Sequence, residues 1–265
     1  MYLKMRGKNK RGRNSKRGQI TVFIILAILI VGVLFLLFYN RTEMGSIFTT
    51  SQSPVDTIQK CIQNSAEEGI IKISNQGGSL EPKNYILYQD NKVDYICYTE
   101  QYYKPCIMQK PLLKQDMEKE LKDYLEPRIK DCINSLKVSL ENQGYGVDYK
   151  NPETSVKLIP SSILIDTNID LKITKESTST YKNIKTDISS KLYDFAMTTS
   201  SIANWEARYG DSETMMYMFY YPGLKVEKKI RSDGTRIYIL TDRNSGDKFM
   251  FAIRSVALPS GITGN

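Results

Sequence analysis

The chain has 265 residues, 37 Lys and Arg against 29 Asp and Glu, a net charge of +8, four cysteines, one tryptophan and no histidine. Without histidine, Ser-His-Asp and Cys-His catalysis, HExxH zinc proteases and imidazole metal sites are excluded together. The positive charge gives no support for a nucleic-acid partner. Lys4, Arg6, Lys8, Lys10, Arg11, Arg13, Lys16 and Arg17 account for all of it, and the rest of the chain is balanced.

Those eight residues precede an uncharged run from Ile20 to Tyr39. As a helix this run covers about 30 Å, the thickness of a bilayer's hydrocarbon core. A cleaved secretory signal is usually shorter, with an apolar stretch of about 7–15 residues and a small-x-small cleavage site after it. The exit here, Asn40-Arg41-Thr42-Glu43-Met44, has no such site. The sequence therefore predicts a basic cytoplasmic tail over 1–18, attracted to anionic headgroups, a transmembrane helix over 19–40 and a polar linker over 41–53. The charge asymmetry places the N-terminus in the cytoplasm and the remainder outside the cell membrane, with the lipid bilayer as first partner.

The junction Lys16-Arg17-Gly18-Gln19-Ile20-Thr21-Val22-Phe23 resembles the class III signal peptides of archaeal type IV pilin-like proteins. The resemblance implies cleavage by a prepilin peptidase between Gly18 and Gln19, leaving the apolar helix on the mature chain as anchor and then as filament core. It covers about two dozen residues. Phe23 stands where pilins usually carry a glutamate.

Beyond the linker, Ser53-Pro54-Val55-Asp56 is a helix start, with an N-cap hydroxyl, a first-turn proline and an acid near the positive helix end. Val55, Ile58, Cys61, Ile62, Ala66, Ile70 and Ile73 follow at helical spacing up to Gly77-Gly78. Tyr85–Tyr88 and Val93–Tyr98, joined at Asp90-Asn91, predict a hairpin. A second helix over 116–142 carries the stripe Met117, Leu121, Leu125, Ile129, Cys132, Leu136 and Leu140, with Pro127 inside it.

After Gly144, 156–159 and 163–173 predict strands, with Ile165, Ile169, Leu171 and Ile173 alternating onto one face. A third helix is predicted over 184–209, with Ile188, Leu192, Phe195, Ile202 and Trp205 inward. Strands over 224–230, 235–240 and 248–256, with turns at Ser232-Asp233-Gly234 and Asn244-Ser245-Gly246, make an antiparallel meander. The class is α+β, with a helix-hairpin-helix lobe over 54–145 and an α+β lobe over 146–265.

Outside the cell the four cysteines are candidates for pairing. Cys97 and Cys106 bracket a short aromatic loop, and Cys61 and Cys132 sit on the apolar stripes of two helices, so the expected pairs are 61–132 and 97–106. Loop-closure entropy assigns about 4 kcal/mol to the long loop and about 3 kcal/mol to the short one. The alternatives are a Cys₄ zinc site, which lacks any CxxC knuckle, and four buried thiols.

Chemistry is sparse. The SxxK matches at Ser179–Lys182 and Ser245–Lys248 arise as readily by chance. Asp166, Asn168 and Asp170 imitate a calcium loop, but Leu171 and Ser177 occupy its glycine and glutamate positions. Glu118, Glu120, Asp123, Glu126 and Asp131 interleave with lysines as on a solvated helix face. No catalytic, cofactor or metal residue is assigned. Met215 to Gly223 is apolar or aromatic on both faces of a strand: either a strand buried on both sides, or an exposed patch for a partner chain through Tyr217, Phe219, Tyr220 and Tyr221. The tyrosines from Tyr95 to Tyr103 are a weaker second patch. Three functions stay open: a non-catalytic, membrane-anchored binding or structural module of the cell surface; a pilin-like filament subunit processed before Gln19; and an anchored enzyme, which needs acids or a Ser-Lys pair converging in one pocket.

Overall fold

The computed structural model describes residues 26–32 and 53–258. The chain divides into two compact units, Met1–Gln52 and Ser53–Asn265. In the first, 26–32 form a helix (α1) whose residues are all exposed. Among the described residues no helix is long and apolar enough to cross a membrane. The rest of the expected span, together with Gly18 and Gln19, lies outside the described residues.

The second unit is α+β. α2 (Pro54–Asn75) opens with the Val55 amide donating to Ser53 Oγ at 3.3 Å and buries Ile58, Ile62, Ala66 and Ile73. α3 (Leu113–Glu141) buries Met117, Leu121, Leu125, Ile129, Cys132 and Leu136 along the predicted stripe, with Pro127 inside the helix. The two helices pack on each other. They come close at Gly69, where a Cβ would lie 2.9 Å from the Tyr124 ring. A Cys61–Cys132 disulfide, with Cα atoms 6.1 Å apart, joins them.

Two sheets complete the unit. One runs β1 (Tyr85–Tyr88), β2 (Asn91–Tyr98), β10 (Lys248–Arg254), β9 (Thr235–Asp242), β8 (Leu224–Ile230), with β3 (Ile107–Met108) also on β2. All neighbours are antiparallel except β2 and β10, which are parallel. Cys97–Cys106 closes the loop between β2 and β3, with Cα atoms 5.4 Å apart. In the other sheet, β6 (Ser162–Thr174) is flanked by β7 (Thr178–Ser189) on one edge and by β5 (Glu153–Ile159) and β4 (Gly146–Tyr149) on the other. Its buried face is strictly alternate: Val156 and Leu158; Ile163, Ile165, Ile169, Leu171 and Ile173; Ile184 and Ile188. Asp166, Asn168 and Asp170 point the other way, as period two requires.

Three expectations are corrected. The third helix does not begin at Ile184. Ile184 and Ile188 are buried on β7, and α4 (Leu192–Tyr209) starts after Ser190, whose Oγ accepts from the Leu192 amide at 3.2 Å. A spacing of four satisfies both a two-residue and a 3.6-residue period, so the pair could not discriminate between them. Nor does a boundary at 145–146 separate two lobes. β2 and β10 come from opposite ends of the unit yet pair directly, and one core contains Ile58, Leu121, Ile165, Phe195 and Phe251. Lastly, Met215–Gly223 is not a doubly buried strand: α5 (Thr214–Tyr220) is a short helix with no buried residue.

Candidate binding site at the α4–α5 groove

α4 sets up the site by sorting its faces. Leu192, Phe195, Ala196, Thr199, Ile202, Ala203 and Glu206 are buried. Met197, Ser201, Trp205 and Tyr209, spaced at four, line a different stripe, and Met197, Trp205 and Tyr209 are exposed. Trp205, expected inward, is 50% exposed, while its neighbour Glu206 is 0% exposed. The helix buries its acid and turns its tryptophan out.

The reason lies in the partners available to Glu206. Its carboxylate accepts from Tyr238 Oη, from the Ser212 amide at 3.3 Å and from Arg236 Nη1 at 3.2 Å. Arg236 also donates to the Ser255 carbonyl at 2.7 Å, and Ser255 Oγ donates to the Glu206 carbonyl at 2.9 Å. Burial pushes the Glu206 carboxyl above its usual range, and the Tyr238 hydroxyl and Arg236 guanidinium offset this only in part. The Tyr238 phenol is pushed up by burial and by the Glu206 carboxylate beside it. A buried carboxylate so fully hydrogen-bonded fixes α4 on β9 in one register and leaves the Trp205 side for solvent.

Gly210 ends α4 in the left-handed conformation at φ 80°, where a Cβ would lie 2.4 Å from Val256. The chain turns, and Glu213 caps α5 by accepting from the Met215 amide at 3.0 Å. Pro222 follows the helix end, and β8 begins at Leu224. α5 is tied where the Tyr217 and Ser201 hydroxyls meet at 2.8 Å and where the half-buried Tyr217 and Met218 pack on the core. Outside that tie Met215, Met216, Phe219, Tyr220 and Tyr221 are exposed, Phe219 at 77%. Phe219 and Tyr220 meet edge to face at 5.6 Å between centroids, and Trp205 leans on Tyr209 at 4.6 Å. Between α4 and α5 runs an open groove of about 520 Å³, lined by Ser201, Trp205, Ser212, Glu213, Met216, Tyr217, Tyr220 and Tyr221. Thus Tyr217, Tyr220 and Tyr221 line one groove, and Phe219 lies beside them. Sequence reasoning missed Trp205, Ser212 and Glu213; the spacing of four between Ser201 and Trp205 was the available signal.

The second aromatic patch is divided. Tyr95 is buried, its hydroxyl 2.9 Å from Thr235 Oγ1, while Tyr102 and Tyr103 are exposed on the disulfide loop. A polar groove elsewhere brings Ser79, Lys110 and Asp94 together. A Ser-Lys nucleophile needs an amine free of carboxylate partners and amide donors for an oxyanion. Lys110 instead donates to Ser79 Oγ and is paired with Asp94 at 2.7 Å. The Gly78 and Leu80 amides are taken by the Ile73 carbonyl and the Glu120 carboxylate. The cluster has the geometry of a tie between α2, β2 and α3. Among the described residues no three acids or cysteines converge as a metal site.

No family model matches the chain, and comparison with curated proteins and with solved structures returned no match.

Proposed function

We propose that this protein is a single-span, membrane-anchored module of the cell surface that binds a partner or ligand, without catalysis, through the aromatic α4–α5 face. The observation that carries the reading is α5 itself, a seven-residue helix of methionines and aromatics with nothing buried. Exposed apolar surface of this kind is costly to keep in water and marks interaction sites. Two disulfides suit an oxidising compartment. The anchor is supported by the uncharged run after eight basic residues and by α1, whose residues are apolar or glycine and exposed.

The test places a photoreactive benzoylphenylalanine at position 219 in the native membrane, with the same probe at Lys157, on the outer face of β5, as control. An adduct at 219 and none at 157 is expected, and its intact mass identifies a second copy, another chain or a small molecule. Equal yields at both positions would end the reading. An impermeant maleimide should label a Lys157→Cys variant in intact cells; labelling only after permeabilisation would overturn the topology.

The Gly18-Gln19 junction favours a second reading, a pilin-like filament subunit. It predicts a native chain beginning at Gln19 by intact mass, and a chain beginning at Met1 would exclude processing.

A further inference from the structure

We propose that the α4–α5 groove binds a small organic cation, an alkylammonium of the choline type, with Trp205, Tyr217, Tyr220 and Tyr221 as its aromatic walls and Glu213 as its counter-charge. The inference rests on reading α4–α5 as a binding surface and adds the class of ligand.

The charge of the lining decides the class. The lining carries one tryptophan and three tyrosines, and an aromatic ring face attracts an ammonium group from within about 6 Å. The lining also holds one carboxylate, Glu213, and neither lysine nor arginine. Glu213 is exposed and has no ion-pair partner among the described residues; the Met215 amide occupies only its Oε1. The neighbouring ammonium of Lys228, which donates to the Ser212 carbonyl at 2.9 Å, is paired with Asp211 at 2.7 Å. An anion would therefore meet an unpaired carboxylate, whereas a cation meets a counter-charge among aromatic side chains.

Polarity favours a neutral polyol less. A sugar needs several convergent donors and acceptors, but the Ser201 and Tyr217 hydroxyls already bond each other. The polar groups left are the hydroxyls of the exposed Tyr220 and Tyr221, the Glu213 carboxylate and Ser212. Ser212 is wholly buried, it lines the groove, and its hydroxyl has no hydrogen-bond partner. A groove of about 520 Å³ is within the range of small-molecule sites.

Trp205 is the chain's only tryptophan, so its fluorescence reports this groove alone. The full chain in a maltoside detergent is titrated with choline chloride against matched sodium chloride. A parallel titration uses 3,3-dimethyl-1-butanol, the neutral compound in which carbon replaces the nitrogen. Choline should give a saturable change, with affinity about ten-fold above the neutral isostere. Glu213→Gln should weaken choline several-fold and leave the isostere unchanged. Tyr220→Phe should bind like the parent and Tyr220→Leu should not, with circular dichroism verifying that each variant is folded. Equal affinity for both compounds would reduce the site to an apolar groove and overturn the proposal, as would the absence of a saturable change. If photo-adducts still form at 219 in that case, the binding surface survives and only the ligand class is lost.

Discussion

Two seven-residue elements of this protein have similar composition and opposite fates. β10, Lys-Phe-Met-Phe-Ala-Ile-Arg, is buried at every position after the first. α5, Thr-Met-Met-Tyr-Met-Phe-Tyr, is buried at none. β10 sits between β2 and β9, so both faces and both edges are covered. α5 is flanked by short loops and held by a cap, one hydroxyl pair and the half-buried Tyr217 and Met218. The difference shows that an apolar run specifies affinity for apolar surroundings, and that the long-range partner decides whether the protein itself supplies them. In β10 that partner is β2, about 150 residues earlier in the chain. For α5 the folded unit covers Tyr217 and Met218 in part and leaves Met215, Met216, Phe219 and Tyr220 exposed.

The largest expected effect breaks the buried member of the pair. Phe251 is fully buried, stacked on Tyr238 at 5.1 Å and near Phe249 at 6.3 Å. Phe251→Ala should destabilise the unit by about 3–5 kcal/mol, from lost transfer energy and a residual cavity. Urea unfolding followed by far-UV circular dichroism measures it, and a loss below about 1 kcal/mol would mean that the β10 face is not the packed layer described here.

Much of this fold was legible in the sequence, and the boundary of legibility is physical. The stripes of α2 and α3, the β1–β2 hairpin and the β8–β9–β10 meander each follow from local period and turn chemistry. Both disulfides join the cysteines that helix stripes and a short loop had suggested. The parallel pairing of β2 with β10 was not legible, because no local signal encodes a partner at such separation. β7 is not legible because Ile184 and Ile188 fit two periods. At the candidate site, the aromatic residues were legible as adhesive, but their exposure was not. Trp205 continues the apolar stripe of Phe195 and Ile202, and only the Tyr238–Arg236 partnership, contributed by β9, explains why Glu206 takes the buried position instead.

That polar tie gives a smaller, pH-dependent effect. Burial raises the Glu206 proton affinity in the folded state, so the folded protein binds more protons than the unfolded chain between the ordinary glutamate range and the raised value. By linkage, stability contributed through Glu206 is greatest below its ordinary pKa and falls as pH rises through that window. Glu206→Gln removes the titration. The melting temperature of the parent relative to the variant should therefore decline as pH is raised from about 4. A gap that widens with pH would show that the Arg236 pairing outweighs burial, and would place the carboxylate among ordinary ion pairs.

The smallest stability effect is expected where the chemical change is the same as at Phe251. Phe219→Ala deletes the same ring, but from a side chain 77% exposed whose one aromatic contact is the adjacent Tyr220. Surface truncations of this kind usually change stability by no more than about 0.5 kcal/mol, so the urea midpoint should stay within error of the parent. The ring's value should emerge in binding instead, since exposed aromatics at interfaces carry energy that the free protein does not use. The signature is thus an unchanged midpoint together with weaker retention of the full chain on a phenyl matrix in maltoside. A midpoint that dropped as far as that of Phe251→Ala would mean α5 is part of the core's support, and the contrast between the two elements would collapse.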